Sequence, residues 1–236
     1  MGVFYYLCLM ILPRIYKATL PKFEKYNGKP KLSYSQITSF KDPLYRSQYI
    51  LGYFFGIQDP GNIYAFFGGE VGEYIETSGE KVGPMLDEGT RQVLDNLERP
   101  EGSEHEVEIV VDRGDYVIQG FIDRVYPVDG GVEVLDFKTG NIDKKATFYG
   151  SQDYQQTTLY SYALEQEGHT IKKSFVKLLG RKGNNMGGNM LRLSGAIKDI
   201  PTPYSQERAE IFLAKTDKIA KEISDLYETY NYLNSK

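Results

Sequence analysis

The sequence predicts an α/β fold in which helices flank one sheet, and three observations carry that reading. Apolar residues recur at helical spacing through the first hundred or so positions. Between Glu106 and Phe137 the period changes to alternating runs rich in Val and Ile. A long amphipathic helix then closes the chain. The predicted order is helices, three antiparallel strands, a helix, a strand and a terminal helix, a layered arrangement around one core.

Taken in order, Val3 to Leu12 is nearly all apolar, but ten residues are half of the ~20 needed to span a bilayer. No basic residue precedes the run and no small-residue cleavage pattern follows, so it reads as a short element packed on the domain. Residues 1–31 are expected to form an N-terminal extension, and 32–236 the main domain. Leu32-Ser33-Tyr34-Ser35 followed by Gln36 to Phe40 reads as a capped helix start; Asp42-Pro43 breaks that helix, and Leu44 to Leu51 continues as a second one ending at Gly52. Phe66 to Thr77 and Pro84 to Leu97 read as helices, the latter with Pro in its first turn. Glu106 to Val111, Tyr116 to Tyr126 and Val132 to Phe137 read as strands, punctuated by Gly114 and Asp129-Gly130. Gln152 to Glu167 returns to helix, Ile171 to Leu179 to strand, and a short strand is expected near Met190 to Leu193. Ser205 opens the last helix, with Phe212, Ile219, Ile223, Leu226 and Tyr230 on one side.

Composition narrows the class. Hydrophobic residues are 41% and charged residues 25%, so the chain can build a packed core and is not broadly disordered. The net charge of −4 argues against a basic coat over the whole surface, but not against a local basic groove. The single cysteine, Cys8, excludes a disulfide framework, a cysteine-based zinc site and a four-cysteine iron–sulfur cluster. His105 and His169 have no partner at metal-ligand spacing.

The chemistry concentrates in the central hairpin. A two-residue turn at Asp129-Gly130 pairs Val128 with Gly131 and, counting back, sets Asp123 opposite Asp136. Lys138 lies two residues on and shares that face. Opposed side chains have Cβ atoms about 4.5–5.5 Å apart, where two carboxylates repel. Their neighbours Val125 and Val134 are apolar, which adds a desolvation cost. A hard divalent cation, Mg²⁺ or Mn²⁺, relieves both. An ammonium beside it can orient water and stabilise a phosphate. The spacing alone equally allows a surface hairpin of ordinary salt bridges. On the next helix Gln156 and Tyr160 share a face, with Tyr154 and Tyr162 adding aromatic surface. Lys172, Lys173, Lys177, Arg181 and Lys182 beside a Gly/Asn-rich loop form a candidate basic lip.

Together, Gly120-Phe-Ile-Asp123-Arg-Val, Val134-Leu-Asp136-Phe-Lys138-Thr-Gly140 and Gln156-Thr-Thr-Leu-Tyr160 resemble the signature of RecB-like nucleases of the PD-(D/E)XK superfamily. Leu32 to Phe40 resembles that family's N-terminal helix start, and the likeness runs to about Leu179. It implies an αβββαβ restriction-endonuclease-like core with an added C-terminal helix. It also implies metal-dependent hydrolysis of DNA, with exonuclease action preferred, in recombination, repair or phage genome processing. Asp123 and Asp136 become metal ligands, Lys138 the catalytic lysine, and Gln156 and Tyr160 DNA-positioning residues. The implied partners are DNA, single-stranded or at strand ends, and a recombination or replication protein; the implied setting is the cytoplasm of a bacterial or phage-infected cell, without a membrane role. Two departures stand out. The family's Gly-x-x-x-His has Gly72 in the histidine's place, which leaves Glu73 or Glu76 to supply an oxygen. Asp42-Pro43 stands where cluster-bearing relatives have Cys-Pro, so no iron–sulfur cluster is expected. The departure at Gly72 also keeps open a non-catalytic nucleic-acid-binding or scaffold module with the same fold.

Overall fold

Hairpin turns, helix caps and one edge ladder set the bounds of the elements. A computed structural model describes residues 23–57, 62–184, 186 and 189–234. The run Val3 to Leu12, with Cys8, lies outside the described residues. The chain divides into two compact units, one holding the described residues up to 57 with 112–118 and 215–234, the other holding 62–111 and 119–214. No helix among the described residues is long and apolar enough to cross a membrane.

In the first unit, strands β1 (Lys25–Tyr26) and β2 (Lys29–Leu32) form an antiparallel hairpin. Asn27 and Gly28 both take positive φ, 49° and 84°, at its tip. Asn-Gly is the residue pair such a two-residue turn favours, and the sequence reading passed over it. Helix α1 (Tyr34–Lys41) has the expected capped start, and the cap is a reciprocal box between Ser33 and Gln36. The second short helix is displaced: α2 spans Arg46–Tyr49 and runs on as a π turn over Ile50–Phe54, so Gly52 does not end it. Aromatic packing holds the π turn, with the Phe54 ring 4.6 Å from that of Tyr227.

In the second unit, α3 (Ile63–Glu76) is capped by Asn62. The helix expected from Pro84 starts later, as α4 (Glu88–Asp95), because the Asp87 side chain caps Thr90 N and Met85 N donates to Glu70 instead. Strands β3 (Glu104–Asp112), β4 (Val117–Val128) and β5 (Gly131–Gly140) follow. Then come α5 (Ile142–Tyr149), which the sequence reading missed, α6 (Gln156–Gln166), β6 (Ile171–Lys182) and β7 (Arg192–Pro201). The sheet is mixed: β3 pairs β4, β4–β5 and β6–β7 are antiparallel, and β5–β6 is parallel. Strand β7 is longer than expected because its ladder with β6 specifies it, not apolar alternation; most of its residues are exposed. Phe67, Val71 and Ile75 of α3 pack with Leu94, Leu179 and Leu193 on one side of this sheet. Tyr149 and Tyr154 pack with Val176 and Leu178 in a separate cluster.

The closing helix α7 (Gln206–Asn234) buries Ala209, Leu213, Thr216, Ala220, Ile223 and Tyr227. The expected face is therefore rotated: Phe212, Ile219, Leu226 and Tyr230 flank the stripe, and small residues occupy positions where close packing is needed. In the first unit Asp217 accepts two hydrogen bonds from Arg113, at 3.0 and 2.7 Å, and one from Tyr116 at 2.8 Å. These donors hold its carboxyl below the ordinary range against the opposing effect of burial. A depressed acid contributes stability above its unfolded pKa and loses it as pH falls through the folded value. Asp217→Asn should thus cost about 1 kcal/mol at neutral pH, discounted for partial exposure. The gap to wild type in thermal melts should close as pH drops below the usual aspartate range.

Candidate active site

The turn at Asp129-Gly130, with Gly130 at φ 72°, fixes the register of β4 on β5. Pairing runs from Val128 with Gly131 to Arg124 with Leu135, as the two-residue turn predicts, and there the ladder stops. The next pair in register is Asp123 with Asp136. Where a main-chain carbonyl would continue the ladder, the Asp123 carboxylate accepts from Phe137 N–H at 2.6 Å. Asp123 is half-buried and Asp136 fully buried, 0% exposed. Burial, then the neighbouring Asp136 carboxylate, push the Asp123 carboxyl up to about 7, against the pull of Lys138 and the Phe137 N–H.

Asp136 has its own partners. Lys138 Nζ lies 2.7 Å from one carboxylate oxygen and 2.6 Å from the other. Tyr154 donates its phenol to Asp136 at 2.7 Å and lies 3.1 Å from Gln156 Oε1, while Gln156 Nε2 donates to the Tyr160 hydroxyl at 2.6 Å. Asp136, Lys138, Gln156 and Tyr160 thus belong to one polar chain. Tyr154 links its two halves, a connecting role that helical spacing did not reveal. Helix α6 starts at Gln156, not Gln152, because the Arg208 guanidinium holds the carbonyls of Ser151 and Tyr154 outside a helical ladder. Tyr154 therefore sits before the helix and can turn toward β5. Gly120 has a matching use: a Cβ there would stand 3.1 Å from the Tyr160 ring.

Asp123, Phe137, Lys138 and Thr139 line a cavity of about 370 Å³ with Gly68, Gly69, Gly72 and Glu76 of α3. The glycines let α3 approach closely; a Cβ at Gly68 would lie 3.3 Å from Thr139 Oγ1. Arg124, buried on the other side of β4, donates to Ile75 O at 3.0 Å and so ties down the last turn of α3 beside Glu76. Of the two carboxylates offered in place of the missing histidine, Glu73 points elsewhere and pairs with Lys81 at 2.9 Å. Glu76, one turn beyond Gly72, lines the cavity. Glu106 of β3 stands close enough for Glu76 to raise its carboxyl further, after burial.

The donor set fits a hard divalent cation. Two carboxylates converge past the end of the ladder, and the one nearer solvent is disfavoured as an anion until positive charge arrives. Among the described residues no three His, Cys, Asp or Glu side chains gather at metal-holding distance. A cation here would take two protein carboxylates and leave other positions to water and substrate, as Mg²⁺ commonly does.

Two outcomes follow. An aspartate whose pKa is raised on folding contributes stability at low pH that is lost as pH rises, here between 3.8 and about 7. Urea midpoints of wild type in EDTA should therefore fall across that interval, and Asp123→Asn should flatten the fall. Tyr154→Phe removes a donor to the buried Asp136 and should weaken divalent-cation binding by about 10–100-fold in calorimetric titration, with the fold intact by circular dichroism.

Comparison with known proteins bears on the fold and the family. No curated protein matches the chain. Among solved structures, SSO0001 is 15% identical with a TM-score of 0.46, covering 92% of this chain and 87% of its own. A protein from Eubacterium rectale named "Putative exonuclease" is 13% identical with a TM-score of 0.55, covering 85% and 82% respectively, a likeness of fold. The family model described as the PD-(D/E)XK nuclease superfamily matches residues 73–231, which include Asp123, Asp136, Lys138, Gln156 and Tyr160. Members of that superfamily generally use divalent metal ions. The hairpin aspartates, the lysine two residues on and a family match over most of the chain lead to one conclusion: this chain belongs to the PD-(D/E)XK nuclease superfamily.

Proposed function

We propose that the chain is a divalent-cation-dependent deoxyribonuclease whose active site is Asp123, Asp136 and Lys138, carried by a nuclease domain spanning residues 32–236. The convergence of these three side chains where the β4–β5 ladder ends carries the reading. Hydrolysis joins a water oxygen to phosphorus and breaks the P–O bond to the sugar oxygen, which leaves with a proton. Asp123 and Asp136 would hold Mg²⁺ or Mn²⁺, with Glu76 as a further oxygen in place of the histidine absent at Gly72. The cation supplies Lewis acidity and a template for the phosphate. Lys138 presents an ammonium that can exchange its contact with Asp136 for the phosphate, where charge grows in the transition state. Tyr154 keeps Asp136 oriented as Lys138 moves, and Gln156 and Tyr160 position the strand.

Exonuclease action in recombination, repair or phage genome processing is the preferred form. It is supported by the motif resemblance at Gln156 and Tyr160 and by the name of the Eubacterium rectale protein. The competing reading, a non-catalytic nucleic-acid-binding or scaffold module, draws on Gly72 and on the small carboxylate set.

One assay separates the two. Labelled single- and double-stranded DNA is incubated with protein and Mg²⁺, Mn²⁺ or EDTA. The expected result is cation-dependent cutting that falls by about 10²–10³ in Asp123→Asn, Asp136→Asn and Lys138→Ala, and less in Glu76→Gln. Melting gives a second readout: cation at 100 times its Kd should stabilise wild type by about 2.7 kcal/mol and Asp136→Asn by much less. Absence of cutting on every substrate, with either cation, favours the scaffold.

A further inference from the structure

The candidate basic lip is not one surface. Lys177 pairs with Asp199 at 2.9 Å, and Lys173 lies 4.1 Å over the Phe175 ring. Lys172 reaches the Gly130-Gly131 turn, at the end of β5 away from Lys138. Arg181 differs. It stands at the Lys138 end of the parallel β5–β6 pair, three residues past Leu178, the register partner of Lys138. At strand rise that is roughly 10 Å. Its guanidinium lies 4.2 Å over the Tyr64 ring, and its one polar contact among the described residues is a long 3.4 Å hydrogen bond to Tyr64 O.

Arg181 is half-buried, and no carboxylate among the described residues pairs with it. Burial lowers its affinity for the proton, and only the phenols of Tyr64 and Tyr149 oppose that. A partly desolvated guanidinium held flat on a ring keeps its edge donors for an anion, and a phosphate matches them in geometry and charge. Tyr64 stays 40% exposed with Arg181 over one face. It is one helical turn before Gly68, which lines the catalytic cavity. Tyr149 lies within electrostatic reach of both Lys138 and Arg181 and bridges the two regions.

We propose that the Arg181–Tyr64 stack is a substrate subsite for the strand flanking the cut, with the guanidinium on a phosphate and the uncovered face of Tyr64 on an unpaired base. The inference deepens the nuclease reading and rests on it. A base can stack on Tyr64 only where the strand has left the duplex, so the subsite selects single-stranded substrate or a frayed end.

Binding without cleavage isolates the subsite. Fluorescence anisotropy of the full chain in EDTA, with a labelled single-stranded oligonucleotide and its duplex, is measured across salt concentrations. Arg181→Ala should weaken single-strand binding about tenfold and reduce the slope of log K against log salt by about 0.7, the loss of one phosphate contact. Arg181→Lys should retain most of the slope. Tyr64→Ala should weaken single-strand binding by about tenfold with the slope retained, leave duplex binding unchanged, and spare the melting temperature. Single-strand binding and slope unaltered in Arg181→Ala, or equal losses on single strand and duplex in Tyr64→Ala, overturn the proposal. Because no metal is present, this result is independent of whether wild type cuts DNA: cutting with unaltered binding sinks the subsite alone, and the expected binding losses without cutting sink the nuclease reading alone.

Discussion

A hydrogen-bond ladder that stops one pair early organises the second unit. Had β4 and β5 remained zipped beyond Arg124 and Leu135, Phe137 N–H would have met a carbonyl and not the Asp123 carboxylate. Instead the carboxylate replaces the carbonyl, and the strands separate where two acids would otherwise be pressed together. An anion accepting a main-chain N–H is a stronger contact than the neutral one it replaces. The Phe137 N–H offsets part of the cost of an Asp123 anion, while burial and the nearby Asp136 still disfavour it.

The surrounding structure is arranged to hold that load in place. Lys138 and Tyr154 both donate to Asp136, so a fully buried carboxylate is compensated on both oxygens. Arg208, from the start of α7, holds the segment before α6 out of helix, which is what frees Tyr154 to reach β5. On the other side, Arg124 fixes the end of α3 and the helix glycines bring its backbone to Thr139. Each contact is ordinary in strength. Together they set α3, β4 and β5 around one cavity.

Net charge is a poor guide to such a molecule. The chain is acidic overall, yet the cations that matter are few and individually placed. Lys177 is neutralised by Asp199, whereas Lys138 and Arg181 stand at the same end of adjacent strands, one bound to an acid and one stacked on a ring. Counting lysines along β6 suggests a continuous basic face; one ion pair and two ring contacts divide it.

The amino-acid sequence by itself determined the hairpin register, because two turn residues and a period of two leave one way to pair Val128 with Gly131. The order of helices and strands and the family motifs followed from the same local rules. It also held signals that reading by apolar period passes over: Asn27-Gly28 as a turn, and Asn141 as the cap of α5. Tertiary structure alone decided the rest. The starts of α4 and α6 depended on Glu70 and Arg208, whose acceptor and donors come from distant segments. The length of β7 depended on its neighbour, and the buried stripe of α7 on where small residues permit close approach. Which of Glu73 and Glu76 faces the cavity was set by the face that α3 turns to the sheet, where Glu76 stands one turn past Gly72. Local propensity is written residue by residue, but the partner of a buried polar group is chosen in space.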